Sequence, residues 1–227
     1  MKRSLTLLAV LIAAVAGGGY WYAHSKLPQR TGEVTVAGLQ APVSVRYDQR
    51  GVPHIQAQNE TDLYRALGYV HAQDRLFQME ITRRLANGEL AEVLGPKLVE
   101  TDTLFRSLRI AEQARSMVAR QDRQSPAWLA LQAYLEGVNA WQDSYPRPVE
   151  FDVLGITPRP FTAEDTLSIA GFMAYSFAAA FRTEPLLTYV RDHLGKYYLS
   201  DFDLGWDPEG AVQTPPHLAA ADWRSLG

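Results

Sequence analysis

The sequence predicts an α+β fold, an N-terminal β-hairpin followed by mainly α-helical segments. Two observations carry this. Apolar residues alternate with polar or small ones as far as Ala57, and from Leu63 onward they recur at helical spacing. Turn and cap chemistry sits at the joints between these segments. Val34–Val36 and Pro42–Tyr47 have the strand period. Asp48-Gln49-Arg50-Gly51 supplies a turn in which Gly51 can take a positive φ. Val52–Ala57 resumes as an extended segment, with Pro53 placing it at an edge or a strand start. A helix then begins behind Asn59 or Thr61 and stops at Asn87-Gly88, with Leu63, Leu67, Val70, Phe77, Ile81 and Leu85 mostly on one face. Within it Glu80 and Arg84 form an i, i+4 pair, worth roughly 0.3 kcal/mol on an exposed face. A second helix is expected over Leu104–Ala119. The third opens with Ser125 as cap and Pro126 at its first position, and buries Trp128, Leu131, Leu135, Val138 and Trp141. Pro146, Pro148, Pro158 and Pro160 punctuate a loop. Thr162-Ala163-Glu164-Asp165 has the form of a cap, with Phe161 placed as a hydrophobic staple. The helix it starts, through about Ala180, is apolar nearly all round and is expected to be buried. A short helix over Pro185–Leu194 follows.

The chain has 227 residues, a formal net charge of −3 and no cysteine. Residues 1–26 contribute Lys2, Arg3 and Lys26, so the remaining 201 residues carry 19 positive and 25 negative groups, a net −6. Such a surface argues against a nucleic-acid partner, which needs clustered Lys and Arg. Zero cysteine excludes a disulfide framework and a thiolate metal site. Residues 27–227 have the length of one ordinary domain. Met1-Lys2-Arg3 precedes the uncharged run Ser4–Ala23. Residues 1–26 are therefore read as a signal peptide, with a small-residue site at Ala14-Val15-Ala16, or as an inner-membrane anchor through residues 4–23. In the second case Tyr20-Trp21-Tyr22 would lie at the interface. Either reading exports the bulk of the chain. Residues 24–32 form a polar linker.

No self-contained active site is visible. The nucleophile elbow, the S-x-x-K pair and the glycine-rich phosphate loops are all missing from the sequence. None of the five histidines has H-x-x-x-H spacing, and His54 and His71 read as structural. Asp201–Glu209 echoes a calcium loop, but Trp206 stands where the sharp-turn glycine belongs. Asn59-Glu60-Thr61 matches a glycosylation acceptor and equally a helix cap. The unusual stretch is Gly68–Glu80, where His71, Gln73, Asp74, Arg75, Gln78 and Glu80 are set among large apolar groups. On one helix His71 shares a face with Arg75, and Asp74 with Gln78. Buried polar groups need partners, so this pattern reads as a network fixing the helix against a neighbour.

The same stretch carries a resemblance. Gly51-Val52-Pro53-His54-Ile55, Gly68–Glu80, Arg83-Arg84, Gly88 and Ala91-Glu92-Val93-Leu94-Gly95 resemble the N-terminal part of the penicillin acylase (penicillin amidase) family. Gly137-Val138-Asn139-Ala140 and the loop from Leu154 to Pro158 continue the likeness, which spans roughly residues 31–195. The resemblance implies an N-terminal-nucleophile hydrolase with an αββα assembly, made as an exported, periplasmic precursor that cuts itself into a small α chain and a large β chain. This chain would be the α-chain portion, a heterodimer partner of the β chain, with no catalytic residue of its own. The nucleophile would be a Ser after Gly227, which stands at the expected cleavage site. The substrate would be a small N-acyl compound, with penicillin-type amides and N-acyl-homoserine lactones the leading classes. The segment Met173-Ala174-Tyr175-Ser176-Phe177 resembles the helix lining the acyl pocket, which gives substrate-binding roles to Met173 and Phe177. Ser176 stands where penicillin-specific members carry a basic residue. Glu184 resembles a glutamate that helps to bind a structural calcium, and no organic cofactor is implied. A reading of another class is a non-catalytic, membrane-anchored helical binding module of the same fold.

Overall fold

The computed structural model describes residues 2–178 and 180–201. Its elements are α1 (Lys2–Ser25), β1 (Ser44–Tyr47), β2 (Pro53–Gln56), α2 (Glu60–Asn87), α3 (Ala91–Leu94), α4 (Val99–Ser107), α5 (Ile110–Ala119), α6 (Pro126–Ser144), α7 (Val149–Leu154), α8 (Ala163–Ala178) and α9 (Ala180–His193). Short 3₁₀ turns cover Pro96–Leu98 and Lys196–Asp201. The chain divides into two compact units, Met1–Ala174 and Tyr175–Gly227.

In the first unit β1 and β2 form the expected antiparallel hairpin, with Val45 opposite Ile55 and Tyr47 opposite Pro53. Its turn is fastened by Asp48, whose Oδ1 accepts the backbone N–H of Arg50 at 2.8 Å and of Val52 at 2.9 Å. The Val52 N–H is the main reason that the Asp48 carboxyl titrates below its ordinary value. Gly51 takes φ 76°, as the turn requires. Val34–Val36, by contrast, is not a strand. Val34 and Val36 line a groove of about 150 Å³ together with Val45, Tyr47, Tyr69 and Val70. The linker is likewise tied down: Gln73 Nε2 donates to the Gln29 carbonyl at 2.6 Å, and Arg30 pairs with Asp74 at 2.8 Å.

The core lies where α2 crosses α6. Asn59 caps α2, its Oδ1 accepting the Asp62 N–H at 2.8 Å, and Gly88 ends it in the left-handed region at φ 67°. Ser125 caps α6 as expected. Val138, Leu76, Ala72, Trp141, Phe151 and Ile156 meet in one buried cluster. Two glycines let the helix backbones touch. A Cβ on Gly68 would lie 1.9 Å from the Tyr134 carbonyl oxygen, and one on Gly137 would lie 1.9 Å from that of Arg65. Beside this crossing, the fully buried Asp62 accepts the N–H groups of Gln40 and Ala41, both at 3.0 Å, and binds the loop before the hairpin to α2. The Gln40 N–H is the largest of the causes that hold the Asp62 carboxyl down.

Three further expectations change. The helix over Leu104–Ala119 is two helices, because Arg109 adopts φ 57° and ψ 28° and turns the chain between α4 and α5. The proline-rich stretch contains α7, entered from extended Pro148 and ended by Gly155 at φ 66°. The helix expected to be buried, α8, buries Ala163, Asp165 and Ser168, all in its first two turns. At the N-terminus, Asp152 of α7 accepts from Tyr22 and from Lys26, the latter at 2.7 Å, and also pairs with Arg147. These donors, Lys26 foremost, hold its carboxyl well below the usual range. Among the described residues no helix is long and apolar enough to cross a membrane, so the inner-membrane anchor gains no support there. In the second unit α9 packs on the turn that follows it, burying Val190 and Leu199.

Candidate functional site

The start of α8 is built by a reciprocal cap. Thr162 Oγ1 accepts the Asp165 N–H at 3.2 Å, while Asp165 Oδ2 accepts the Thr162 N–H at 3.1 Å and its hydroxyl at 3.0 Å. Asp165 is 7% exposed, so its charge needs further compensation. That comes from α2. Arg83, fully buried, donates from Nη1 to Asp165 Oδ2 at 3.4 Å and to the Pro160 carbonyl at 3.1 Å. Its Nη2 is bound to Glu80, and its guanidinium lies 4.0 Å from the centre of the Phe161 ring. Phe161 itself is buried in the core.

Glu80 is also fully buried, and its second oxygen accepts from Arg84 Nε at 2.6 Å. Arg84 continues to Glu92 at 3.0 Å. The expectation of an exposed Glu80–Arg84 pair is thereby corrected: the pair is buried and joined through Arg83 to the α8 cap, and its energetics are those of a buried ion network. From the other side, the Asn139 side chain closes a two-bond clamp on Phe161, donating to its carbonyl at 3.0 Å and accepting its N–H at 2.8 Å. Helices α2 and α6 thus both hold the segment that launches α8.

The expected network within Gly68–Glu80 is only partly found. Glu80 belongs to it, but His71 and Arg75 are exposed. His71 Nδ1 lies 2.6 Å from the Tyr134 hydroxyl. Partial burial lowers the His71 pKa, with Arg75 adding to the effect, and burial pushes Tyr134 up to about 12. His54 is exposed as well, its Nε2 3.5 Å from Asp48.

Beyond its anchored start α8 has half-buried and exposed positions. Met173 is 44% exposed and Phe177 is 77% exposed, four residues apart on the same helix. A cleft of about 510 Å³ beside the first turns of α8 has Asn87, Arg106, Arg115, Arg159 and Ser168 in its lining, and neither Met173 nor Phe177 is part of it. Glu184 falls in α9, although its side chain lies outside the described residues. Gly227 and most of the Asp201–Glu209 stretch lie outside them too. Among the described residues no cluster of three or more acidic or histidine side chains could hold a metal. Sequence reasoning missed the Asn139 clamp and the burial of Arg83. Two adjacent arginines one helical turn from a glutamate were the available signal.

The penicillin amidase family model matches residues 42–216. The chain is 45% identical over 150 residues to penicillin acylase 2 proenzyme of a Pseudomonas species, covering 64% of this chain and 19% of the relative. It is 33% identical to penicillin G acylase of Escherichia coli, over 78% of this chain and 21% of that protein. An acyl-homoserine lactone acylase, QuiP of Pseudomonas fluorescens, is 32% identical over 92% of this chain and 25% of the relative. A solved structure of thermostable penicillin G acylase from Alcaligenes faecalis superposes with TM-score 0.55 and 27% identity, covering 77% of this chain and 97% of that one. The chain spans about a fifth to a quarter of the length of these curated relatives. The match across most of its length, together with the sequence blocks on α2 and α6, shows that the chain belongs to the penicillin amidase family.

Proposed function

We propose that this chain is the α-chain portion of an exported, periplasmic acylase that hydrolyses N-acyl linear amides. The observation that carries the reading is the run of relatives named as acylases, over up to 92% of the chain. The short share of those relatives, set against 97% coverage of a solved acylase chain, supports assembly with a larger β chain. The nucleophile is a Ser leading that β chain. Its hydroxyl attacks the amide carbonyl while its own α-amine, with an ordinary pKa of about 7.7–8.0, takes the proton. The amine product leaves, and water then releases the carboxylic acid from the acyl-serine.

In this reading Met173 and Phe177 form one wall of the acyl pocket. Their exposure suits a surface completed by another chain. Ser176, between them, places no positive charge beside the acyl chain. Acyl-homoserine lactones are a second substrate class alongside penicillin-type amides, supported by QuiP relatives that cover 92% of the chain. Assay of the two-chain protein against an acyl-length series tests the pocket. Phe177→Ala should change the ratio of kcat/KM between long and short acyl groups by about tenfold, with processing intact. An unchanged ratio removes Phe177 from the site.

Glu184 is proposed as one oxygen ligand of a structural calcium. A carboxylate is the right donor for that ion, and a lone one requires the remaining ligands from the β chain. Chelation should lower the Tm of the two-chain protein, and Glu184→Gln should remove that sensitivity. A Tm equally sensitive in the variant would exclude Glu184 as a ligand.

A further inference from the structure

The α4–α5 elbow grips α8 immediately before Met173. Arg109 sits in the left-handed region, an uncommon conformation for a residue with a Cβ, and it is locked into both helices. Its N–H donates to the Arg106 carbonyl at 3.0 Å, and its own carbonyl accepts from Gln113 at 3.0 Å. Its guanidinium bonds to Glu112, with Nε 2.6 Å from Oε2. The turn delivers Ile110 against α8 at Gly171. A Cβ built on Gly171 would lie 2.8 Å from Ile110 Cγ2, closer than real Cβ contacts come. One turn earlier on α4, buried Phe105 meets Phe172 edge-on, with ring centres 5.5 Å apart. Two successive residues of α8 are therefore held by one elbow, and Met173 comes next.

We infer that the Ile110–Gly171 contact is a positioning element that sets where Met173 presents itself, and so sets acyl-chain preference. The inference rests on the acyl-pocket reading proposed above. Neither Ile110 nor Gly171 need touch substrate. The cap of α8 is fixed by the Arg83–Asp165 network. A change at Gly171 must therefore be taken up by the turns beyond it. Ile110 cannot yield easily, because its Cγ2 branches from a stiff χ1 and its backbone is set by the Arg109 turn. Displacements of well under 1 Å at a binding wall are enough to alter selectivity.

The test uses the processed two-chain protein and two amides of one amine, one with a short aromatic acyl group and one with a long straight-chain acyl group. Gly171→Ala should change their kcat/KM ratio by about tenfold, mainly through KM, with kcat for the better substrate within about threefold of wild type. Adding Ile110→Ala, which removes the opposing Cγ2, should return the ratio towards wild type. A general loss of stability lowers the folded fraction equally for both substrates, so it leaves their kcat/KM ratio unchanged. Should Gly171→Ala not yield processed protein, Ile110→Ala alone carries the test and should also change the ratio. If Phe177→Ala changes the ratio while the Gly171 and Ile110 variants do not, the positioning inference fails and the pocket reading stands. If none of the three changes it, the pocket reading fails and takes the inference with it.

Discussion

Gly68→Ala and Gly137→Ala are each expected to destabilise the protein by at least about 3 kcal/mol. At an open helical position the same change would stabilise by about 1 kcal/mol, because Ala loses less backbone entropy. Here the new methyl would stand 1.9 Å from a carbonyl oxygen of the opposite helix. That atom belongs to a backbone and cannot rotate away, as a flexible side-chain end could. The helices must separate, and the separation opens the Val138, Leu76 and Ala72 packing that the crossing closes. Against a total stability of about 5–15 kcal/mol, such a loss should show as a large fall in Tm and in soluble yield. A Tm within a few degrees of wild type would mean that α2 and α6 do not cross at these glycines.

Arg83→Leu is expected to cost about 3–5 kcal/mol, because it strands buried charge. Glu80 would keep only Arg84, and Asp165, 7% exposed, would lose its nearer cation and keep Arg159 at 3.9 Å and the Asn87 amide at 3.3 Å. The apolar replacement offers neither carboxylate a donor. Combining Arg83→Leu with Glu80→Gln removes one of the stranded charges. Thermal or urea unfolding should then give a coupling of at least about 1 kcal/mol between the two changes. Strict additivity would contradict the buried ion network. Since the network anchors the α8 cap, the single variant should also weaken acyl-substrate binding in protein that still folds.

Much of the fold was legible because local chemistry is explicit in the chain. Asn59, Gly88, Ser125-Pro126 and Thr162–Asp165 mark helix ends at the positions found. The hairpin follows from alternation and an Asp–Gly turn. What the sequence concealed was decided by tertiary contacts. Arg109 has good helix propensity, so nothing local announces that it will turn left-handed to seat Ile110 on α8. Glu80 and Arg84 have the spacing of a surface pair, yet Glu80 is fully buried and Arg84 nearly so, within a network that takes in Arg83, Asp165 and Glu92. The α8 expectation failed in the opposite direction. An all-round apolar helix calls for cover, and among the described residues Met173 and Phe177 stand exposed. Candidate site residues were legible only through resemblance, since no nucleophile pattern occurs in these residues.

The central claim, that this chain completes an acylase whose nucleophile leads a second chain, is tested most directly on the full reading frame. The purified protein should run as two chains, the larger beginning with Ser, and should release free carboxylic acid from an N-acyl amide. Replacing that Ser with Ala should leave one uncut chain that releases none. A wild-type protein that stays single and inert towards amides and acyl-homoserine lactones alike, or a Ser→Ala variant that still cleaves them, would contradict the account.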